Sequence, residues 1–182
     1  KLARYRAVLN PSFSPATIRA LTGKAREVAG ELIEQILPCG RCEFVGDFAR
    51  IMPVVMFLGI MDLPVERRAE FVSWGSSGVT DQEIRNRNSA AVAAYLATML
   101  DERARNPGSD LLSRIAAWRD NPRCESEAEV MGMAMVTFVG GLDTVANMMS
   151  FVARHLASDP AARRQLLGDR QLIPQAAEEY IR

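Results

Sequence analysis

The chain has 182 residues, 48% hydrophobic and 24% charged, and its 22 basic and 22 acidic side chains give a formal net charge of zero. This is globular composition, with apolar surface enough for one core and a length that suits one domain. The neutral balance gives no footprint for nucleic acid or an anionic membrane as partner, and three cysteines, an odd number, fit a reduced cytoplasmic protein.

In chain order, "KLARYRAVLN" has no apolar core of a signal peptide, and residues 1–9 have helical spacing with Leu2, Tyr5 and Leu9 apolar. "NPSFSP" breaks that segment, and Ser14 with Pro15 starts a second helix that ends at Pro38 and Gly40. "CEFV", Cys42 to Val45, is the one β-like run. A third helix is expected over Asp47 to Met61, with Pro53 in its first turns or at a kink. Pro64 opens a fourth, through Trp74, and "GSSGVTD" is a loop. Asp81 caps a long fifth helix that stops before Pro107-Gly108, and Asp110 to Trp118 makes a short sixth before the turn "RDNPRCE".

Ser126-Glu127-Ala128-Glu129 has the form of a capping box, and the helix after it can run to Ser158, ~32 residues or ~48 Å. Asp159-Pro160 starts a short helix closed by Gly168, and Pro174 starts the last. The fold class expected is all-α, over a single unit spanning 1–182 without internal repeats. No Met opens the sequence and it ends within a helical pattern, so an internal piece of a longer protein is expected. The most apolar run, Met131 to Val152, is interrupted by Thr137, Gly140, Gly141, Asp143, Thr144 and Asn147, short of the ~20 apolar residues that cross a bilayer.

The chemistry-bearing residues concentrate in that run. Gly140 and Gly141 each cost ~1 kcal/mol against alanine in a helix interior. Close approach by another helix or by a flat ligand would offset this. Asp143 in apolar surroundings needs a partner. Thr144, one turn from Gly140, can bond back to the Gly140 carbonyl or leave it free, and a distortion there would open a groove. A tight helix crossing and a ligand site both account for these residues. Glu179 and Arg182 lie three apart on the last helix and read as an exposed pair. Arg4 and Arg6 flank Tyr5 and could take a carboxylate or phosphate. Cys39 and Cys42 have C-x-x-C spacing but lack further ligands, Cys124 sits in a polar turn, and His155 suits a helix end. No metal site is read from them. The methionines of the long helix suit core packing or an apolar pocket.

Together, Gly140-Gly141-Leu142-Asp143-Thr144 in the long helix, Glu179-Tyr180-Ile181-Arg182 in the last, "RYRAVLNPSFSP" near the start and "ARNPGSDLLSRI" before the long helix resemble cytochrome P-450, in particular the bacterial camphor-hydroxylase type. The resemblance covers the whole chain, from the family's C helix to the start of its K helix. It implies the central helical portion of that fold, with a long I-type helix over the distal face of haem b. Gly140 and Gly141 would let dioxygen and substrate sit against the backbone. Thr144 would hydrogen-bond the oxygen held there, and Asp143 would help relay protons to it. Val136 and Val139 would face a small apolar substrate, such as a terpenoid. Arg6 would pair with a haem propionate, and Glu179 with Arg182 would form the buried K-helix pair. An iron–sulfur ferredoxin would dock near Arg4 and Arg6 and supply electrons.

Two departures stand out. Leu2 occupies the position where many relatives carry a propionate-binding histidine. The iron-ligating cysteine would lie outside these residues, so the fragment alone is expected to be inactive; Cys39, Cys42 and Cys124 lack its sequence setting. The competing reading is an all-α binding or regulatory module without redox chemistry, with Asp143 as a core polar residue.

Overall fold

The computed structural model describes residues 2–75 and 79–182, without the Leu2 side chain; part of the loop expected at 75–81 therefore lies outside the described residues. The described residues form helices and no strand. In order these are α1 (Leu2–Leu9), α2 (Pro15–Ile36), α3 (Ile51–Met61), α4 (Arg68–Trp74), α5 (Gln82–Arg105), α6 (Leu111–Ala116), α7 (Glu127–Ser158), α8 (Pro160–Gly168) and α9 (Ile173–Ile181), with short 3-10 turns in some of the connections.

Most starts and stops follow local chemistry. Ser14 accepts from the Thr17 amide at 3.3 Å with Pro15 at the first helical position. Asp81 accepts from the Glu83 and Ile84 amides. Asp159 caps α8 through the Ala161 and Ala162 amides. Gly40, at φ +63°, takes the left-handed turn that ends the α2 region.

Two expectations fail. Cys42 to Val45 is not β-like, because its backbone is claimed by two acids. Glu43 accepts from the Val45 and Gly46 amides, and the Glu43 amide donates to Asp47 at 2.8 Å. These bonds start a π turn over Val45–Ala49. The turn gives way to α3 where Pro53, four residues past Ala49, has no amide to offer its carbonyl. Pro53 is buried and lies in the first turn of α3, where no kink is needed.

The capping box also does not form: Ser126 makes no side-chain cap bond. Glu129 instead accepts from the Glu125 amide at 3.3 Å and turns its carboxylate toward α1.

One main core holds the molecule together. Helix α7 buries Val130, Met133, Ala134, Phe138, Leu142 and Ala146, a single stripe at helical spacing. Against it lie Phe57, Leu58 and Met61 of α3, Val92, Leu96 and Leu100 of α5, and Leu111, Leu112 and Ile115 of α6. Helix α3 is apolar around its circumference because it also packs on α2, where Val55 meets Val28 and Leu32. By length and composition α7 is apolar enough to cross a membrane, despite the polar residues that interrupt it. Its stripe is instead spent on this core.

Helices α8 and α9 bury no residue fully and close on the end of α7, where the His155 and Tyr180 rings meet at 5.6 Å.

Candidate active site

The face of α7 opposite its buried stripe carries the candidates. Val136, Gly140 and Thr144 recur every four residues, so they line up along one edge, with Val139 beside them. Val136 is 61% and Val139 56% exposed, and Gly140 and Thr144 are exposed as well. The helix is not locally distorted here. It is α-helical throughout Glu127–Ser158, and the Thr144 hydroxyl donates to the Gly140 carbonyl at 2.5 Å. The opening is therefore made by missing side-chain bulk rather than by a broken turn.

The two glycines differ. A Cβ on Gly141 would meet Phe57 at 3.7 Å, an ordinary contact with α3. A Cβ on Gly140 would meet nothing within 4 Å. No helix among the described residues crosses at Gly140.

Asp143 is half-buried. With Arg50, Ser73, Gly75 and the apolar Val54, Phe71 and Leu142 it lines a cavity of mixed character, about 250 Å³. Successive helical positions differ by ~100°, which turns Asp143 away from Thr144, while the seven-residue spacing leaves it within ~20° of Val136.

Toward the start of α7 the open edge joins a groove of about 590 Å³, in which Arg6, Tyr5 and Leu9 of α1 face Glu129, Gly132, Met133 and Val136. Arg6 and Val136 both line this groove. Arg4 is not available as a docking residue. It donates to Glu125 at 2.9 Å, to the Arg123 carbonyl at 3.0 Å and to Glu129. Bonds to Tyr5 and Glu125 raise the Arg4 guanidinium above its ordinary range.

Glu129 is the residue sequence reasoning misassigned. Its carboxylate takes Tyr5 OH at 2.7 Å, Arg4, and the Trp118 indole at 3.4 Å. Donation by Tyr5, followed by the Glu125 amide and Trp118, holds its carboxyl below the usual range. The signal available was an acid early in an apolar helix, but its partners lie 124 and 125 residues away.

Glu179 and Arg182 form a pair at 3.1 Å with both side chains exposed. Cys39 and Cys42 are exposed, while Cys124 contacts the Ser126 carbonyl.

No protein-family model matches the chain. It is 29% identical over 99% of its length to the mycinamicin IV hydroxylase/epoxidase of Micromonospora griseorubida. It is 28% identical over 98% to the vitamin D(3) 25-hydroxylase of Pseudonocardia autotrophica, and 31% over 98% to a probable cytochrome P-450 of Sinorhizobium fredii. Among solved structures, a variant of the mixed-function P-450 MycG with mycinamicin IV matches 98% of the chain at TM-score 0.84 and 28% identity. Cytochrome P-450 CYP101C1 matches 97% at TM-score 0.80 and 35% identity.

The fold is that of the central helical part of a cytochrome P-450. The chain spans a little under half of the proteins it matches: 47%, 45% and 44% of the three relatives, and 47% and 44% of the two structures. This correspondence puts the open edge of α7, with the groove beside α1, on a scaffold whose matched relatives are hydroxylases and epoxidases.

Proposed function

We propose that the chain is the central part of a bacterial cytoplasmic haem-thiolate monooxygenase of the cytochrome P-450 family, akin to the camphor-hydroxylase type. The observation that carries this is the likeness of the fold, at TM-scores of 0.84 and 0.80, to solved P-450 structures along nearly the whole chain, on which Val136, Gly140 and Thr144 form an exposed edge of α7. A flat group suits such a face, and the groove at its end holds a cation, Arg6, for an acidic substituent. The residues present therefore fit haem b. Arg6 would hold a propionate, and Gly140 would give the close backbone surface, while Gly141 faces Phe57 of α3. No cysteine lines the groove among the described residues, so the thiolate comes from elsewhere in the protein. Bound haem with a thiolate ligand supplies the activation of dioxygen.

The protein's own part is placement of protons and substrate. The Thr144 proton is committed to the Gly140 carbonyl, so its Oγ lone pairs face the open edge and accept a hydrogen bond there. Asp143 lines the cavity beside that edge and carries protons toward it. Val136 and Val139 exclude water from an apolar substrate, with terpenoids the first class to screen. Two electrons and two protons reduce one oxygen atom to water as the other enters a C–H bond, and an iron–sulfur ferredoxin delivers the electrons. Glu179 and Arg182, exposed within these residues, would be covered in the complete protein.

An all-α module without redox chemistry is not favoured, because the similarity runs along the chain's whole length to hydroxylases. The test is the spectrum of the full-length protein, reduced under carbon monoxide. A thiolate-type Soret band is expected; a protein that takes up no haem overturns the reading.

A further inference from the structure

The groove that receives Arg6 is built around a carboxylate rather than a cation. Glu129 gathers donors from Arg4, Tyr5, Trp118 and the Glu125 amide. Its side chain is 12% exposed and that of Arg4 16%. Helix α1 has eight residues, too few to be stable alone, so its orientation depends on what it touches. Tyr5 lies between Arg4 and Arg6 in sequence, ~100° from each around the helix. The Arg4 guanidinium stacks on the Tyr5 ring at 4.9 Å, and both groups hold the same carboxylate oxygen. With these two anchored, Arg6 is turned onto the groove wall.

We propose that Glu129 is a positioning residue that fixes the rotation of α1 and thereby presents Arg6 to an acidic group in the groove. Under the functional reading above, on which this rests, that group is a haem propionate. Glu129 lines the groove, but its part is to hold Arg4 and Tyr5. Each of its oxygens is already engaged, Oε1 by Arg4 and Tyr5 and Oε2 by Trp118 and Glu125. Losing one Glu129 contact should loosen α1 without emptying the core, because Val8 and Leu9 also pack against it.

The test is the rate at which the haem-loaded full-length protein gives up haem to excess apomyoglobin. Arg6→Ala should speed release about tenfold, the size of one charge-assisted hydrogen bond. Glu129→Gln should speed it by several-fold, and the double variant should release no faster than Arg6→Ala alone. Tyr5→Phe, which removes one hydroxyl, should show the same dependence on Arg6 and serves if Glu129→Gln does not fold. Full additivity with Arg6→Ala would mean that Glu129 acts through general stability, and overturns the proposal. Unchanged release in a folded Glu129→Gln variant also overturns it. Slower release, as an unpaired Arg4 charge alone would produce, does the same. If the wild type takes up no haem, the functional reading fails, and this inference with it.

Discussion

Gly75 and Asp143 are neighbours across the cavity they line: a Cβ at Gly75 would stand 3.4 Å from Asp143 Oδ1 and 3.2 Å from the Val72 carbonyl. The Gly75 backbone, at φ −56° and ψ 141°, is open to any residue, so steric room alone favours glycine there. Gly75→Ala should therefore keep the fold, press chiefly on the Val72 carbonyl, and set a methyl group in contact with the Asp143 carboxylate. If Asp143 carries protons, turnover of the full-length enzyme should fall by roughly threefold to tenfold with a larger solvent isotope effect, since small misplacements of a catalytic group are costly. An unaltered isotope effect would separate the cavity from proton delivery.

Thr144 makes no contact that the core depends on. Thr144→Ala removes a hydroxyl bonded back to a helix carbonyl, and stability should change by less than ~0.5 kcal/mol. Function should change much more. Without an acceptor on the open edge, electrons drawn from the donor should appear as hydrogen peroxide instead of hydroxylated product. The ratio of peroxide to product measures this, and unchanged coupling removes Thr144 from the mechanism.

Gly140 has the opposite balance. Alanine there meets nothing within 4 Å, so Gly140→Ala should stabilise the haem-free protein by up to ~1 kcal/mol through helix propensity. Gly23, exposed in the middle of α2 and equally unobstructed, is the control. Both alanines should raise the thermal midpoint, but only the one at Gly140 should weaken haem or substrate binding. Equal binding in both variants would mean that nothing approaches α7 at Gly140.

These contrasts show what could be read before the coordinates. Caps at Ser14, Asp81 and Asp159 were legible because the cap and the amide it serves are two or three residues apart. The run Gly140 to Thr144 stands out in the sequence because its residue types are costly in a helix, and the exposure of Gly140 and Thr144 on α7 is what the structure adds. Glu129 was misread for the complementary reason. Its local pattern offers Ser126 as a cap, but a tyrosine and an arginine from the far end of the chain outcompete it. The π turn at Val45–Ala49 was hidden in the same way, since Glu43 and Asp47 are ordinary surface acids until their reciprocal bonds are seen. That Asp143 and Thr144 reach different flanks follows from helical geometry, but which flank is open depends on where α3 and α4 pack.

The Glu129 carboxyl also makes stability depend on pH. Its pKa in the folded protein lies below the ordinary value, chiefly because Tyr5 donates to it, so the folded state binds fewer protons than the unfolded state as the solution is acidified. Its contribution is complete above the unfolded glutamate pKa of about 4.3, and is lost as pH falls through the lower folded value. The Asp159 carboxyl, held down by the Ala162 and Ala161 amides at the start of α8, adds to the same acid limb. Urea midpoints should therefore drop as pH is lowered from about 5 toward 3, the range over which such carboxyls protonate. Glu129→Gln should start lower at neutral pH and fall less steeply. Parallel acid limbs in the two proteins would show that this carboxyl keeps its proton affinity on folding, and that Tyr5 and Arg4 do not bind it.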